Sequence, residues 1–329
     1  MAIAFIGNVG RLIEVAFARE TVYGTYLTPS VANGGVQPVF GQSLPRWGRG
    51  MRPIEGLHAT GTTQPVVTYR GIRGNDFPFV EVELPYGPDT QVLINELISG
   101  STLAANAWAI NDFPNSYSVC VNQLRSGGAA AWNFAGCYAE SVSVRIPVGQ
   151  EASASIRLAA TSLVDPQSAV AMPALTPTTA SGPFLLKGAT LKHSATDAFV
   201  GSAIPVQDIM LSFTRGLKIT HASGSTQPHH ITPATFGLTG TINAVLSSDW
   251  LTEFQDIIAK QSDGGYTTRY LDLVLVSGST TQRFTIPAKL DCPSIDGSGF
   301  DEGTAVPLSF VAGGDDATPT VATARIKNA

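Results

Sequence analysis

The residues with the greatest potential for chemistry in this chain are two adjacent histidines, His229 and His230, in the stretch QPHHITP, with His221 nearby. Neutral imidazole is a common metal ligand, but a metal site needs several ligands at defined spacing, with a carboxylate close by. Neighbouring side chains of an extended segment point to opposite sides and seldom chelate one ion together. The stretch is therefore predicted to be a polar interface loop, and no metal ligand is assigned.

Two further segments share only part of the pattern of a known ligand loop. The stretch from Asp291 to Gly303 (DCPSIDGSGFDEG) lacks the alternating ligands and closing glutamate of an EF-hand, so a hairpin turn is predicted there. The stretch from Gly48 to Gly56 (GRGMRPIEG) lacks the glycine spacing and the strand-to-helix context of a phosphate loop. No G-x-S-x-G element and no Ser, His, Asp or Cys, His grouping stands out. The sequence thus predicts a protein that is not an enzyme, with no catalytic, cofactor-binding or metal-binding residues and no cofactor.

One cluster of basic residues surrounds the GRGMRPIEG stretch. Two interpretations remain open for it: electrostatic docking onto the acidic surface of an adjacent subunit or ring, or solvated charge on a loop. Direct DNA binding is disfavoured, because the whole chain has a formal net charge of −5, whereas phosphate-backbone binders carry a cationic excess. The cluster consists of Arg46, Arg49, Arg52, Arg70 and Arg73.

The composition indicates a folded, strand-rich protein. With 43% hydrophobic and 14% charged residues, the chain is too apolar and too sparsely charged to be mainly disordered. Its 33 glycines and 21 prolines separate many short apolar runs, which favours strands joined by turns over long helices. The three cysteines are odd in number and lack CxxC spacing, so buried reduced thiols are predicted. The N-terminus reads poorly as a signal peptide, and folding in a cytosol fits these features.

The two halves of the chain share one order of elements: strand, helix, strand, hairpin. In the first half, the strand from Asp76 to Gly87 precedes a helix from Pro88 to Ser99, and the hairpin runs from Trp132 to Ser162. In the second half, the strand from Thr235 to Leu246 precedes a helix from Ser247 to Gln261. A Pro, Ala and Thr-rich connector separates the halves. We therefore predict a mainly β (α+β) fold of two tandem domains, each a β-sandwich or barrel with one packed α-helix.

The predicted strands alternate apolar and polar residues, which is typical of a sheet that is covered on one face. Val80, Val82 and Leu84 alternate with Glu81 and Glu83. The helices are each apolar on one side and would cover the apolar face. The other face would be lined mainly by short hydrophilic side chains in both halves.

The segment FARETVYGTYLTP, from Phe17 to Pro29, resembles the opening of major tail tube proteins of long-tailed, non-contractile bacteriophages, through its ETxYGT element. The order of strand, helix and hairpin is similar too, and its duplication resembles the subset with two tube domains. The resemblance implies an N-terminal arm (1–29), a first tube domain (30–165) with a long loop (40–75), a linker (166–185) and a second tube domain (186–329). It implies a structural virion protein whose rings contain three chains in pseudo-sixfold arrangement.

This resemblance gives the polar strand faces a role, because sheets joined edge to edge into a ring would turn those faces toward a channel. Its expected partners are other copies of the chain, the tape measure protein, the tail-end proteins, and double-stranded DNA passing without specific binding. No membrane is expected, and assembly would take place in the host cytoplasm. Arg145 and Arg157 are unfavourable to a smooth DNA channel unless they are paired. The residues expected to face the channel are Glu81, Glu83, Ser141, Ser143, Arg145, Ser153, Ser155, Arg157, Thr239, Thr241 and Asn243.

Two other classes of function remain open from the sequence alone. One is a different virion part, such as a head-decoration or tail-terminator protein. The other is a ligand-binding β-protein or enzyme, for which aromatic residues should cluster on the polar strand faces. Trp108, Trp132 and Trp250 instead fall in a predicted turn, a strand start and a helix, which disfavours the second class.

Overall fold

The computed structural model describes most of the chain, with gaps. The described residues are 13–30, 32, 45–48, 52–56, 66–71, 77–99, 107–109, 114–125, 128–168, 182–194, 203–223, 225, 227–245, 247–262, 267–292, 305–312 and 325–328.

Strands dominate both halves of the described chain, and all strand pairings are antiparallel. The strands of the first half are β1 (Ile13–Arg19), β2 (Arg46–Gly48), β3 (Arg52–Gly56), β4 (Val66–Gly71), β5 (Phe79–Pro85), β6 (Ala107–Ala109), β7 (Tyr117–Arg125), β8 (Gly128–Pro147), β9 (Ser153–Ala159) and β10 (Ser162–Ser168). Those of the second half are β11 (Ala189–Ser194), β12 (Ala203–Ile204), β13 (Val206–His221), β14 (Pro228–Val245), β15 (Thr267–Ser277), β16 (Thr280–Asp291), β17 (Ala305–Ala312) and β18 (Arg325–Asn328). The mainly β fold class is confirmed.

The described residues form two α-helices, one in each half, at α1 (Gln91–Ser99) and α2 (Ser248–Ser262). In α1, two apolar pairs at i, i+4 spacing are buried, namely Leu93 with Leu97 and Ile94 with Ile98. In α2, Phe254 and Ile257 are buried. Neither helix has the length and apolar character that crossing a membrane requires. Each helix thus lays one apolar side on the sheet core, as the periodicity predicts.

Sixteen described strands belong to one sheet. Its main path is β12-β11-β15-β16-β17-β14-β13-β8-β9-β5-β2, and β3 pairs with β4 in a separate two-stranded sheet. The remaining strands attach at the sides: β7 pairs with β8 and β1, β10 with β8, and β18 with β16 and β6. One antiparallel sheet therefore runs through both halves of the chain.

The pairings of the first half recur in the second. The series β2-β5-β9-β8-β7-β1 corresponds to the series β13-β14-β17-β16-β15-β11, and the side pairing β10-β8 corresponds to β18-β16. The halves meet where β8 pairs with β13, from Pro147 opposite Asp208 to Ser141 opposite Thr214. The first strand of the second series, β13, is thus joined to the fourth strand of the first series, β8.

The apolar core is continuous across this junction. Tyr86 of the first half lies 6.2 Å from Phe284 of the second, centroid to centroid. A buried amide pair crosses as well, since Asn95 of α1 donates from its Nδ2 to Gln282 Oε1 of β16 at 2.9 Å. Arg215 of β13 donates to the carbonyl oxygen of Ile98 in the last turn of α1 at 2.8 Å, where cations are favourable. Burial lowers the pKa of Arg215 to about 10, so its guanidinium stays charged at neutral pH.

The hairpin from Trp132 to Ser162 forms as predicted, and β8 pairs with β9 from Tyr138 opposite Ala159 to Arg145 opposite Ser153, with one register shift between Ala139 and Ser141. The second half departs from the sequence prediction at β14, which begins at Pro228 rather than Thr235 because it pairs with β13 along nearly its whole length. The QPHHITP stretch therefore enters a strand, and the prediction of a loop there is wrong. The expected linker (166–185) begins within strand β10 (Ser162–Ser168), which pairs with β8.

Candidate functional site

The polar side of the sheet is the candidate functional surface. We define the polar face as the outward-alternating residues of β5, β9, β8, β13, β14, β17 and the end of β16. All eleven residues expected to line a channel lie on it, alternating with buried neighbours such as Val82, Val144 and Ile242. The helices pack against the other side, where those buried residues form the core.

The register turns these residues into continuous rows across both halves. One row passes through cross-strand neighbours on seven successive strands: Glu83, Ser155, Ser143, Ser212, Thr239, Val311 and Lys289. A second row, one step further along the strands, contains Ser153, Arg145, Met210, Thr241, Ser309 and Asp291. The two halves therefore present a single polar surface, which local sequence patterns could not establish because the β8–β13 pairing is long-range.

Carboxylates pair with the arginines of the polar face. Arg157 donates from Nε to Glu140 Oε2 at 2.6 Å, and its Nη1 contacts Glu81. Arg46 of β2 lies 3.6 Å from the same Glu81 carboxylate. Arg145 lies 3.8 Å from Asp208 of β13. These pairs neutralise the cations that would otherwise hold phosphates at this surface.

Sequence reasoning missed two of these carboxylates. Glu140 sits at a β-bulge between Ala139 and Ser141, so simple alternation does not assign it to the polar side. Asp208 belongs to β13, whose own alternation of Ile209, Leu211 and Phe213 as buried residues was a usable signal. Its pairing with Arg145 depends on the junction between the halves.

A shallow cavity of about 550 Å³ opens on the second-half part of the polar face. Met210, Thr239, Thr241 and Val311 contribute to its wall, with Lys289 and Asp291 among the lining residues. Its floor depends on Gly240, because a Cβ at that position would lie 2.3 Å from the Phe310 ring. The second-half part of the polar face is thus less charged and more apolar than the first-half part.

The basic cluster is only partly within the described chain. Arg46 is described and joins Glu81 at the margin of the polar face. Arg52 and Arg70 lie at neighbouring register positions of the β3–β4 pair, since Arg52 is opposite Gly71 and Pro53 opposite Arg70. Arg49 and Arg73 lie outside the described residues. Docking by this cluster therefore stays a prediction.

The described residues also show where the reactive side chains lie. Cys120, Cys137 and Cys292 are buried free thiols. Burial raises the pKa of Cys120 to about 11 and raises that of Cys137 well above its usual value, so both are protonated at neutral pH. His229 and His230 are exposed residues of β14. Across the described part of the chain, no three His, Cys, Asp or Glu side chains gather into a metal-binding group.

A family model described as phage tail tube protein matches residues 10–312, which is most of the chain. The chain belongs to the phage tail tube protein family. No curated protein sequence matches it. The family is one of structural proteins, and membership places this chain in the virion tail, as a component of the tube that assembles with other tail proteins.

Proposed function

We propose that this tail tube protein self-assembles into stacked rings whose channel conducts DNA during ejection. The observation that carries the proposal is the continuous polar face, which spans seven successive strands and both halves of the chain. A sheet with one apolar side under helices and one polar side is suited to a barrel wall, with the helices outside and the polar side inward. The eleven residues expected at the channel would then line it.

The repeat of strand pairings supports a ring of three chains. The β8–β13 junction joins the fourth strand of the first series to the first strand of the second. The same junction between chains would join β16 of one copy to the β2 region of the next. Each chain contributes two series of strands, so three chains supply the six series that close a pseudo-sixfold ring. Closure removes the open sheet edges. On this proposal residues 30–165 and 186–329 are two tube domains, joined by the linker 166–185.

The compensated charge of the polar face supports a channel through which DNA slides. Arg145 and Arg157 each have a carboxylate partner. DNA would therefore pass without gaining affinity from counterion release. Serine and threonine hydroxyls supply most of the remaining surface. The tape measure protein would occupy the same channel before ejection, and the tail-end proteins would bind the terminal rings.

Contacts along the tube axis would come from the N-terminal arm (1–29) and the loop 40–75 with its basic cluster. Each segment contributes one strand to the repeated pairings, β1 and β2, and the remainder of each would reach the next ring. Electrostatic docking of that cluster on acidic groups of the next ring would strengthen stacking at low salt. Assembly would take place in the host cytoplasm.

The test is to make the channel cationic without altering the core. Replacing Thr239, Thr241 and Asn243 by Lys places three cations per chain on outward-facing positions of β14. We expect tubes to form normally and DNA ejection to slow, with the delay largest at low salt, because each phosphate contact adds a salt-dependent affinity.

A matched control carries three lysines on exposed positions of α2, at Thr252, Gln255 and Ala259. These positions would lie outside the channel, so ejection should match the wild type although the net charge is the same. Equal delays in both variants, or none in either, would contradict the assignment of the polar face to the channel.

A further inference from the structure

The ETVYGT segment that first suggested the family forms a turn anchored by one buried carboxylate. Glu20 is 8% exposed, and its Oε2 accepts hydrogen bonds from the Gly24 N–H at 2.9 Å and the Ser116 hydroxyl at 2.7 Å. Its Oε1 accepts from the Ser118 hydroxyl at 2.9 Å and the Gly136 N–H at 2.8 Å. Gly24 has a φ of +73°, a conformation that side chains disfavour. Four hydrogen bonds to one charge fix this turn firmly on the first half.

The anchored turn presents Tyr23 to the second half. The Tyr23 hydroxyl accepts a hydrogen bond from the Ile231 N–H at 2.8 Å and lies 3.1 Å from the Ile231 carbonyl oxygen, to which it can donate. It is also 2.6 Å from the Thr161 hydroxyl. The ring stacks on Tyr138 and meets His230 edge-on, with centroids at 5.4 and 4.7 Å. One side chain thus satisfies both backbone groups of a residue in the other half.

Ile231 lies on an extension of the β13–β14 hairpin. β17 pairs with β14 only over Thr239–Val245, and β8 pairs with β13 only over Asp208–Thr214. The hairpin continues beyond both, and no other described strand pairs with its β14 edge. Ile231 is itself fully buried. The extension is therefore a strand edge whose backbone groups require other partners.

A second contact joins the halves, and here the side chain belongs to the second half and the backbone to the first. The Gln227 side chain donates from Nε2 to the Leu163 carbonyl oxygen at 2.9 Å and accepts from the Leu163 N–H at 3.2 Å. Leu163 belongs to β10, which pairs on its other side with Phe134 of β8. The carboxamide of Gln227 thus takes the place of a peptide group from a neighbouring strand.

We infer that Tyr23 and Gln227 are reciprocal edge caps that prevent the β14 extension and β10 from pairing with a second copy of the chain. Each side chain occupies both the N–H and the carbonyl oxygen of one edge residue, which are the groups an added strand would use. The excluded partner is another copy because every copy carries the same edge, and two identical uncapped edges can pair with each other in one symmetric contact. The inference concerns the unassembled chain and stands independently of the proposed tube.

The test replaces each cap and follows hydrogen exchange and self-association of the unassembled chain. We expect Tyr23→Phe to accelerate exchange of the Ile231 amide about tenfold or more, the factor that corresponds to loss of one net hydrogen bond. Gln227→Ala should do the same at Leu163. Both variants should self-associate at lower concentration than the wild type in sedimentation velocity.

Each variant has a matched control. Tyr26→Phe removes a hydroxyl that donates to Asn133 Oδ1 at 2.9 Å within the first half. Gln207→Ala removes a carboxamide from an exposed position of β13. Neither control should change exchange at Ile231 or Leu163, or the concentration of self-association. Unchanged exchange in both cap variants, or faster exchange without added self-association, would overturn the inference. Because Gln227 lies outside the anchored turn, Gln227→Ala tests the inference by itself if Tyr23→Phe does not fold.

Discussion

The paired arginines of the polar face give the most specific prediction about DNA passage. Arg157 is held between Glu81 and Glu140, and Glu81 also lies 3.6 Å from Arg46. Replacing Glu81 and Glu140 together by Gln keeps the shape of both side chains and removes both charges. Because the side chains in this cluster are between 25% and 79% exposed, the pairs add little to folding stability, about 1 kcal/mol or less each. The double variant should therefore fold and keep its sheet.

The polar face and its margin become positively charged in this variant. Among the described residues there, five carboxylates oppose five cations, so two neutralisations convert a balanced surface into one with two excess positive charges. The cations are Arg46, Arg145, Arg157, Lys218 and Lys289, and the carboxylates are Glu81, Glu83, Glu140, Asp208 and Asp291. If Arg46 and Arg157 each then contact one phosphate, affinity for a DNA duplex should fall about tenfold between about 50 and 200 mM salt.

Fluorescence anisotropy of a labelled DNA duplex with the unassembled chain measures this effect, since the polar face is then accessible. The wild type should show little salt-dependent binding, and the Glu81, Glu140 double variant should show the stated dependence. The control replaces Glu96 of α1 by Gln and Asp256 of α2 by Asn, which removes the same charge away from the polar face. Equal binding by both double variants, or binding by neither, would refute the view that these carboxylates mask the arginines.

Two further predictions concern stacking and the histidines. Reversing Arg46, Arg49 and Arg52 to Glu should leave a folded chain whose rings stack poorly, and more so at low salt. The reason is that a loss of about 1 kcal/mol of contact free energy per chain is multiplied over every contact between two rings. Light scattering and mass photometry measure tube length, and undiminished long tubes would contradict the prediction. Replacing His229 and His230 by Ala should leave assembly and infectivity largely intact, because neither histidine is assigned a chemical role. Lost infectivity in a folded, polymer-competent variant would show otherwise.

Local patterns predicted the elements and faces that depend on neighbours in sequence. The alternation around Val144 places β8 and its polar side correctly, and the i, i+4 pairs of α1 are all buried. Features that depend on distant register were not predictable in this way. The start of β14 at Pro228 follows from its pairing with β13, and the partner of Arg145 is Asp208 across the junction of the halves.

The bulge at Glu140 shows a second limit of sequence patterns. An extra residue shifts which side chains share a face, and the alternation of small and polar residues around it does not reveal the shift. The ETVYGT turn shows a third. Its resemblance to a family was visible in the sequence, whereas the contact of Tyr23 with Ile231 joins residues 208 positions apart.

Cryo-electron microscopy of tubes grown from the purified chain would show the proposed ring itself. We expect a hollow cylinder with three chains per ring, in which β16 of one chain meets the β2 region of the next and Thr239, Thr241 and Asn243 face the channel. Rings of six chains, or a wall in which these three side chains face outward or lie beneath the helices, would contradict it.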